Sequence, residues 1–495
     1  MTQDAGGPVS LGLARALAGQ GLEGSPPVPP LGWSLDGSRL GTRTLRAMRR
    51  VSRGPWSLPA SFADRTAATL GARPLRWMAL AAIAVPVLRL TVPAPLVVPA
   101  CILLAVAASL SILLAAASAL HEGRERVLVA RALLAGLVLR AVLGATIQWR
   151  GGFPDEYGYY DPIARDSAAC WQAGGPSLLA THPIVESRAA YFYILSTAYF
   201  LLDASMVVGR AAGAMLGLLA ALLAGEIARP MGGPRAAALA VVVLALHPEH
   251  AFWSTTLSRD TLSAILVLLA LAAMLRRPGF LLRGNLLAVA APLGLLAMNS
   301  FLAAGALAAT VVLILLAEAA VGGGSPAARA IRPALALLLG GAALALVGHR
   351  YGNLFTPELF SAVRSQAIGA VPDFFPDLQF HSLGQVALFL PVGSVFVLIA
   401  PWPWEAVHPH RALYGLLASI GLVVTLAGLV GLGVAVRRRA GAAAPPVLFL
   451  LLFLGLLAVL EGTSGIVSRH RLPLTALLSS GAGVLLAGMR GPDER

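Results

Sequence analysis

The sequence contains no lysine, and all 37 of its basic residues are arginine. The simplest explanation is a GC-rich coding sequence, which also favours Ala, Gly and Pro. Any phosphate contact from a strongly basic side chain must therefore come from arginine, which binds phosphate through a planar fork of donors. Charged residues of both signs make up only 12% of the 495 residues, whereas a soluble domain has about 25%. This scarcity excludes an ordinary soluble enzyme.

Cysteine is also scarce, since the chain has only Cys101 and Cys170, and no disulfide framework is predicted. A cleavable signal peptide is not predicted because residues 1–75 lack an adequate apolar stretch. The pair Arg49-Arg50 lies too far from the next apolar run to be a twin-arginine signal. The net charge of +14 is interpreted as positive-inside charge on cytoplasmic loops, so nucleic acid is not an expected partner.

Apolar runs dominate what is present: 57% of the residues are hydrophobic and the mean hydropathy is +0.78. A membrane helix needs about 20 apolar residues, so the runs predict an all-α polytopic membrane protein, a bundle of roughly 10–13 spans with extracytoplasmic loops. Residues 1–75 are predicted as a disordered basic cytoplasmic tail and 76–126 as a transmembrane hairpin. The main transmembrane domain is placed at 127–490, with outer loops at 149–188 and 349–384.

Several local features follow from this topology. A single span is predicted at 236–254, and arginines 437–439 are predicted to mark a cytoplasmic turn between spans 412–435 and 446–461. Residues 121–126 are predicted as a short charged loop. Arg140 lies deep in the span 127–148, so its side chain is expected to face other helices or a cavity. Within the first outer loop, 161–172 is predicted as a short interfacial helix.

Acidic and aromatic residues are concentrated in the segment 153–161, which follows the span 127–148 at once. It contains the adjacent carboxylates Asp155 and Glu156, then Tyr157 and two further tyrosines. Acids at a membrane edge suggest function by default, although a solvated loop and an aromatic belt remain the plain alternatives. The tyrosines are equally compatible with sugar contacts.

The predicted topology places this segment on the same side as Arg259-Asp260, the loop 349–384 and the run Arg469-His470-Arg471. Arginine binds phosphate through charge-assisted hydrogen bonds, and a carboxylate can deprotonate a hydroxyl as a general base. The set suits sugar transfer from a polyprenyl-phosphate donor, with Asp155 and Glu156 as catalytic candidates. The substrate-binding candidates are Tyr157, Arg259, Asp260, Arg469, His470 and Arg471. Alternatively, Asp260 caps the following helix, and the two C-terminal arginines are interfacial anchors.

The group His247, Glu249 and His250 suggests a metal site but lacks a recognised ligand spacing. A satisfied interfacial cluster is the favoured interpretation. No metal site and no cofactor are predicted, and the question of a metal requirement stays open.

Three short motifs resemble the membrane-embedded GT-C glycosyltransferases, in the bacterial family 39-like group with protein O-mannosyltransferases and the aminoarabinose transferases of lipid A. The first is the pair Asp155-Glu156 in the first large outer loop. The second runs from Pro248 through Ser254 to Arg259-Asp260 and Leu262. The third is Arg469, Arg471 and Pro473 at the head of a span. The similarity covers roughly 127–488.

The resemblance implies a helical fold with a lipid-facing cavity, inversion at the anomeric carbon and Asp155 as the base. It implies that Asp260 is a second acid near the donor or acceptor, and that Arg469 and Arg471 lie near the donor phosphate. The chain departs from the group in having a hairpin and basic tail before the usual first helix, and in having no large soluble C-terminal domain of the oligosaccharyltransferase kind.

The expected function is therefore an integral membrane glycosyltransferase of the cell membrane whose active site is extracytoplasmic. Its partners are a polyprenyl-phosphate-linked sugar, a cell-envelope acceptor and membrane lipids. A polysaccharide polymerase or ligase is the alternative among enzymes. A transporter or flippase of lipid-linked sugars is the alternative from another class, although transporters place polar groups at midplane on broken helices, and the charges here cluster at span ends.

Overall fold

The computed structural model describes residues 94–149, 155–175, 188–202, 204–276, 286–320, 331–338, 340–341, 356–366, 375, 378–400, 412–461 and 464–489. All of them belong to one compact unit, Met48–Arg495. The regular structure within these ranges is helical, so the predicted all-α class is confirmed. The predicted tail 1–75 and much of the loop 349–384 lie outside the described residues.

The described helices, in chain order, are as follows. They are α1 (Ala94–Leu120), α2 (Gly123–Trp149), a π-helical turn (Glu156–Tyr160), α3 (Asp161–Gln172), α4 (Ala189–Leu201), α5 (Met206–Gly232), α6 (Pro234–Ala245), α7 (Pro248–Ser254), α8 (Asp260–Arg276), α9 (Leu286–Ala297), α10 (Phe301–Ala320), α11 (Pro357–Gln366), α12 (Leu383–Ile399), α13 (Ala412–Leu460), α14 (Ser464–His470) and α15 (Leu472–Gly488).

Five described helices are long and apolar enough to cross a membrane, or six if the bent pair α6 and α7 forms one span. Shorter apolar helices, among them α4, α8 and α12, accompany them. The chain is therefore a polytopic membrane protein. The short helix predicted at 161–172 is confirmed by α3.

The predicted span 236–254 is not one continuous helix, because the chain breaks between α6 and α7 and bends by 62°. Pro248 explains the break, since proline has no N–H to donate and disfavours helical geometry in the residue before it. His247 adopts an extended conformation and caps α7 through its ring, whose Nδ1 accepts the His250 N–H at 3.3 Å.

Two predicted turns are shorter than expected. Only residues 121–122 separate α1 from α2, because α2 begins at Gly123, which adopts a φ of +54°. Around the arginines 437–439 the chain stays helical apart from a kink at Arg439. The Arg439 guanidinium donates to the carbonyl of Pro230 at 3.0 Å, so the kink is fastened to the end of α5.

The core is formed where α15 packs against α13, α6 and α5. Small residues allow this approach, as is usual for helix pairs in membranes. At Gly431 a Cβ atom would overlap the carbonyl oxygen of Gly481 on α15. Because α14 leads directly into α15, this contact also fixes the position of the segment Arg469-His470-Arg471.

Candidate active site

Three segments that are distant in sequence meet at Arg469, at the C-terminal end of α14. Its Nη1 donates to Oδ2 of Asp155 at 2.5 Å, and its Nε lies 3.1 Å from Oδ2 of Asp260. Asp155 directly precedes the π-helical turn, and Asp260 is the first residue of α8. The structure therefore brings together three of the residues singled out in the sequence.

His470 and Glu461 extend this cluster on the far side of Asp260. His470 Nε2 lies 3.8 Å from Oδ1 of Asp260, and its Nδ1 lies 2.7 Å from Oε1 of Glu461. The order Asp155, Arg469, Asp260, His470, Glu461 alternates acidic and basic groups. We call these five residues the charge row.

Burial changes along the charge row. The Asp155 side chain is 43% exposed, whereas those of Arg469 and Asp260 are 16% and 5% exposed. Burial alone lowers the pKa of the Arg469 guanidinium, but Asp260, Tyr160 and Asp155 outweigh it and hold the pKa above its usual value. Arg469 therefore stays charged, and Asp155 is its most accessible partner.

Two buried polar atoms around Arg469 have no hydrogen-bond partner in the part of the chain that the structure describes. They are His470 Nε2 and the hydroxyl of Tyr160. Tyr160 is fully buried, and its ring packs against Phe192 with centroids 5.5 Å apart. Buried polar groups are nearly always paired in native proteins, so this grouping of unpaired atoms is typical of a site that receives a ligand.

Asp260 is held by Ser258 as well as by Arg469. The Ser258 hydroxyl donates to Oδ2 of Asp260 at 2.5 Å, and its oxygen is also 3.3 Å from the Asp260 backbone N–H. The Ser258 hydroxyl oxygen thus accepts a hydrogen bond from a backbone N–H at the start of α8, as the side chain of an N-cap residue does. The Asp260 carboxylate instead contacts Arg469 and His470, which favours a site residue over a cap.

Glu156 lies next to Asp155 in sequence but points elsewhere. Arg210 on α5 binds it with two hydrogen bonds, Nε to Oε1 at 3.2 Å and Nη2 to Oε2 at 2.7 Å. The backbone N–H of Leu257 donates to the same Oε1 at 2.9 Å. Because Glu156 is fully buried, its contacts indicate that it joins the π-helical turn to α5 and to the segment before α8.

Arg471 is directed away from the charge row. Its guanidinium binds both carboxylate oxygens of Glu249, with Nη2 at 2.7 and 2.8 Å, and it donates to the carbonyl of Val397 at 2.9 Å. Arg259 donates to the carbonyl of Asn299 at 2.9 Å. Both arginines therefore join neighbouring segments of the bundle, and the charge of Arg259 also favours the ionised form of Asp260.

The tyrosines of the π-helical turn differ in their surroundings. Tyr157 is exposed. Tyr159 and Tyr160 lie 4.5 Å apart between ring centroids, and the Arg188 guanidinium lies 4.8 Å from the Tyr159 ring centroid, within cation–π range. Burial, and next the neighbouring Tyr160, raise the pKa of the Tyr159 phenol above its usual value. Tyr159 therefore stays protonated and can act as a hydrogen-bond donor.

The group His247, Glu249 and His250 is occupied by protein contacts, as the cluster interpretation predicts. His250 Nδ1 lies 3.0 Å from Nη2 of Arg140, while Glu249 binds Arg471. Arg140 is buried, as predicted, and its Nη1 also donates to the carbonyl of Ala245 at 2.7 Å. The described ranges contain no group of three acids, histidines or cysteines arranged to hold a metal ion.

The sequence did not single out Glu461 or Ser258 as parts of the site, and it left Tyr160 open between an aromatic belt and a sugar contact. Glu461 ends an apolar run nine residues before His470, and no spacing rule connects the two. Ser258 precedes Asp260 by two residues. Serine at this spacing often hydrogen-bonds a nearby backbone N–H, and this was the local sequence signal for its role.

No family model, curated protein or solved structure matches this chain. The likeness to GT-C enzymes is therefore a likeness of short motifs.

Proposed function

We propose that the protein is an integral membrane glycosyltransferase that moves a sugar from a polyprenyl-phosphate donor to a cell-envelope acceptor on the extracytoplasmic face. The observation that supports this is Arg469, held between Asp155 and Asp260 at the ends of apolar helices. A donor with an apolar tail and an anionic head matches a site where a buried arginine lies at the edge of a helical membrane bundle.

In the proposed reaction the Asp155 carboxylate takes the proton of the acceptor hydroxyl as that oxygen attacks the anomeric carbon. The bond between the anomeric carbon and the phosphate oxygen breaks with inversion, and its electron pair leaves with the polyprenyl phosphate. Arg469 stabilises the charge that develops on the leaving phosphate. Asp260 keeps Arg469 in place during the exchange of partners.

The geometry of the charge row requires one movement. An in-line transfer separates the base oxygen from the leaving oxygen by up to roughly 7 Å, the sum of a hydrogen bond, an attack distance and a C–O bond. Arg469 now contacts Asp155 directly. The donor phosphate must therefore replace Asp155 on Arg469, which frees the Asp155 carboxylate to act as the base.

The test is transfer by the purified full-length protein, measured with a panel of polyprenyl-phosphate sugars and extracted envelope acceptors. Asp155→Asn is expected to lower turnover at least a hundredfold, while Asp166→Asn, which removes an exposed acid of α3, keeps it within twofold. Release of polyprenyl phosphate without acceptor-linked sugar, or full turnover in Asp155→Asn, would contradict the proposed chemistry.

A transporter of lipid-linked sugars is the second candidate, and the bent pair α6 and α7 favours it. Broken helices with buried ionisable groups are typical of transporters, and Arg140 and His250 lie at this break. Proteoliposomes with a fluorescent lipid-linked sugar separate the two functions. Movement of the label between leaflets with no release of polyprenyl phosphate would support transport and exclude transfer.

A further inference from the structure

Glu461 has the geometry of a residue that orients a histidine. Its Oε1 lies 2.7 Å from His470 Nδ1, and the described part of the chain offers no hydrogen-bond partner to His470 Nε2. A carboxylate accepts hydrogen bonds and cannot donate them when ionised. The contact therefore places a proton on Nδ1, and Nε2 faces Asp260 at 3.8 Å.

The position of Glu461 is itself fixed by the backbone. Its N–H donates to the carbonyl of Leu457 at 3.0 Å at the end of α13. Its own carbonyl accepts a hydrogen bond from the Arg364 Nη1 at 2.7 Å. Because these bonds use backbone atoms of Glu461, a change of its side chain leaves them in place.

A small cavity adjoins this contact, lined by Arg364, Glu461 and a mainly apolar wall that includes Phe375, Phe389 and Phe396. The Glu461 carboxylate is almost fully buried. A carboxylate loses its hydration when it is buried, and this cost must be offset by a polar partner. His470 is such a partner for Glu461. The pair is therefore set into the protein and is not a chance contact at the surface.

We propose that Glu461 is a positioning residue that fixes the tautomer and ring orientation of His470, so that Nε2 is the ring nitrogen presented to the substrate beside Arg469. This inference rests on the proposed function for the identity of the substrate. The orientation of the imidazole can be tested without any substrate. A second hydrogen bond that selects a histidine's tautomer is a common device in sites where one ring nitrogen must be available.

The first experiment is a long-range ¹H–¹⁵N spectrum of the full-length protein labelled at its nine histidines, with His470→Gln used to assign the His470 signals. We expect a protonated Nδ1 in the native protein and in Glu461→Gln, whose amide oxygen still accepts the hydrogen bond. Glu461→Ala is expected to populate both tautomers. An unprotonated Nδ1 in the native protein, or identical His470 signals in Glu461→Ala, would overturn the proposal.

The matched control is Glu226→Ala, which removes an acid that is ion-paired with Arg229 at 2.9 Å. It is expected to leave the His470 signals unchanged. A similar change in this control and in Glu461→Ala would show a general effect of acid removal, and would overturn the proposal.

The second experiment measures transfer kinetics on the donor found active in the panel. Glu461→Ala is expected to lower kcat about tenfold with little change in the acceptor KM, and Glu461→Gln to restore kcat to within threefold. In a His470→Gln background the Glu461→Ala change is expected to have no further effect. An equal loss in both backgrounds would overturn the positioning role. If no donor is turned over, the proposed function fails, and the spectra still decide the orientation of His470.

Discussion

Removing the Glu156 carboxylate should destabilise the fold, because it breaks the buried ion pair between Glu156 and Arg210. Glu156 accepts two hydrogen bonds from Arg210 and one from the Leu257 N–H. Both side chains are almost fully buried. Breaking a buried ion pair by removing one partner costs about 3–5 kcal/mol, whereas replacing both partners by uncharged groups is often neutral.

The informative variants are Glu156→Gln and the double variant Glu156→Gln with Arg210→Met. The introduced glutamine side chain has nearly the shape of the glutamate, and its amide oxygen can still accept from the Leu257 N–H. The single variant should therefore lose about 3–5 kcal/mol of unfolding free energy. The double variant should regain most of that loss, because no uncompensated charge remains.

Fluorescence-detected unfolding of the purified protein in one detergent measures the difference, and the transfer assay is run on the same samples. If Glu156 is structural, the double variant keeps measurable turnover. A fully stable Glu156→Gln single variant would refute the argument from buried charge. A stable double variant without turnover would restore Glu156 as a catalytic residue.

Three further predictions concern other regions. Burial, and next Arg229, lower the pKa of His121 to about 4 in the folded protein. As the pH falls, His121 is therefore protonated in the unfolded chain before it is protonated in the folded one, and the free energy of unfolding should decline by about 3 kcal/mol between pH 6.5 and 4. Thermal scans over this pH range should show a smaller decline in His121→Gln. Gly431→Ala should lower the free energy of unfolding by about 1–3 kcal/mol, because the added methyl group pushes α13 away from α15. The control Gly433→Ala, whose Cβ meets no neighbouring atom, should stabilise its helix slightly. Equal melting temperatures for the two variants would contradict close packing at Gly431. Arg471→Met should lower the melting temperature, because it leaves Glu249 buried without its partner. In the protein that remains folded, the KM for the donor should change less than twofold. A larger change in this KM with normal stability would indicate that Arg471 contacts the donor after all.

Hydropathy predicted the helical class because the need to satisfy the backbone within the membrane leaves few alternatives. The short helix α3 was predictable from the glycines that end it, and Gly174 adopts a φ of +71°. The break between α6 and α7 was not predicted, because the hydropathy of an apolar run does not reveal where its helix bends. Pro248 was the available signal, since a proline inside a helical pattern marks a probable boundary.

The members of the site were easier to predict than their partners. Asp155, Asp260 and Arg469 were found because charges beside apolar runs are conspicuous. Glu156 and Arg471 are also charged residues at the ends of apolar runs, yet each is bound by a buried counterion from another helix. Only tertiary packing decides which of two neighbouring charges faces a partner helix and which faces the site.

The charge row also determines an order of events in the proposed reaction. An anionic donor can pair with Arg469 only in exchange for a carboxylate, because the charge row already holds three carboxylates against one arginine and one histidine. Asp155 is the partner that yields, since it is far more exposed than Asp260 and water can hydrate its carboxylate once Arg469 releases it. The same step seats the phosphate and releases the base. The donor should therefore bind before the acceptor is deprotonated, which keeps Asp155 paired and inactive until a donor is present.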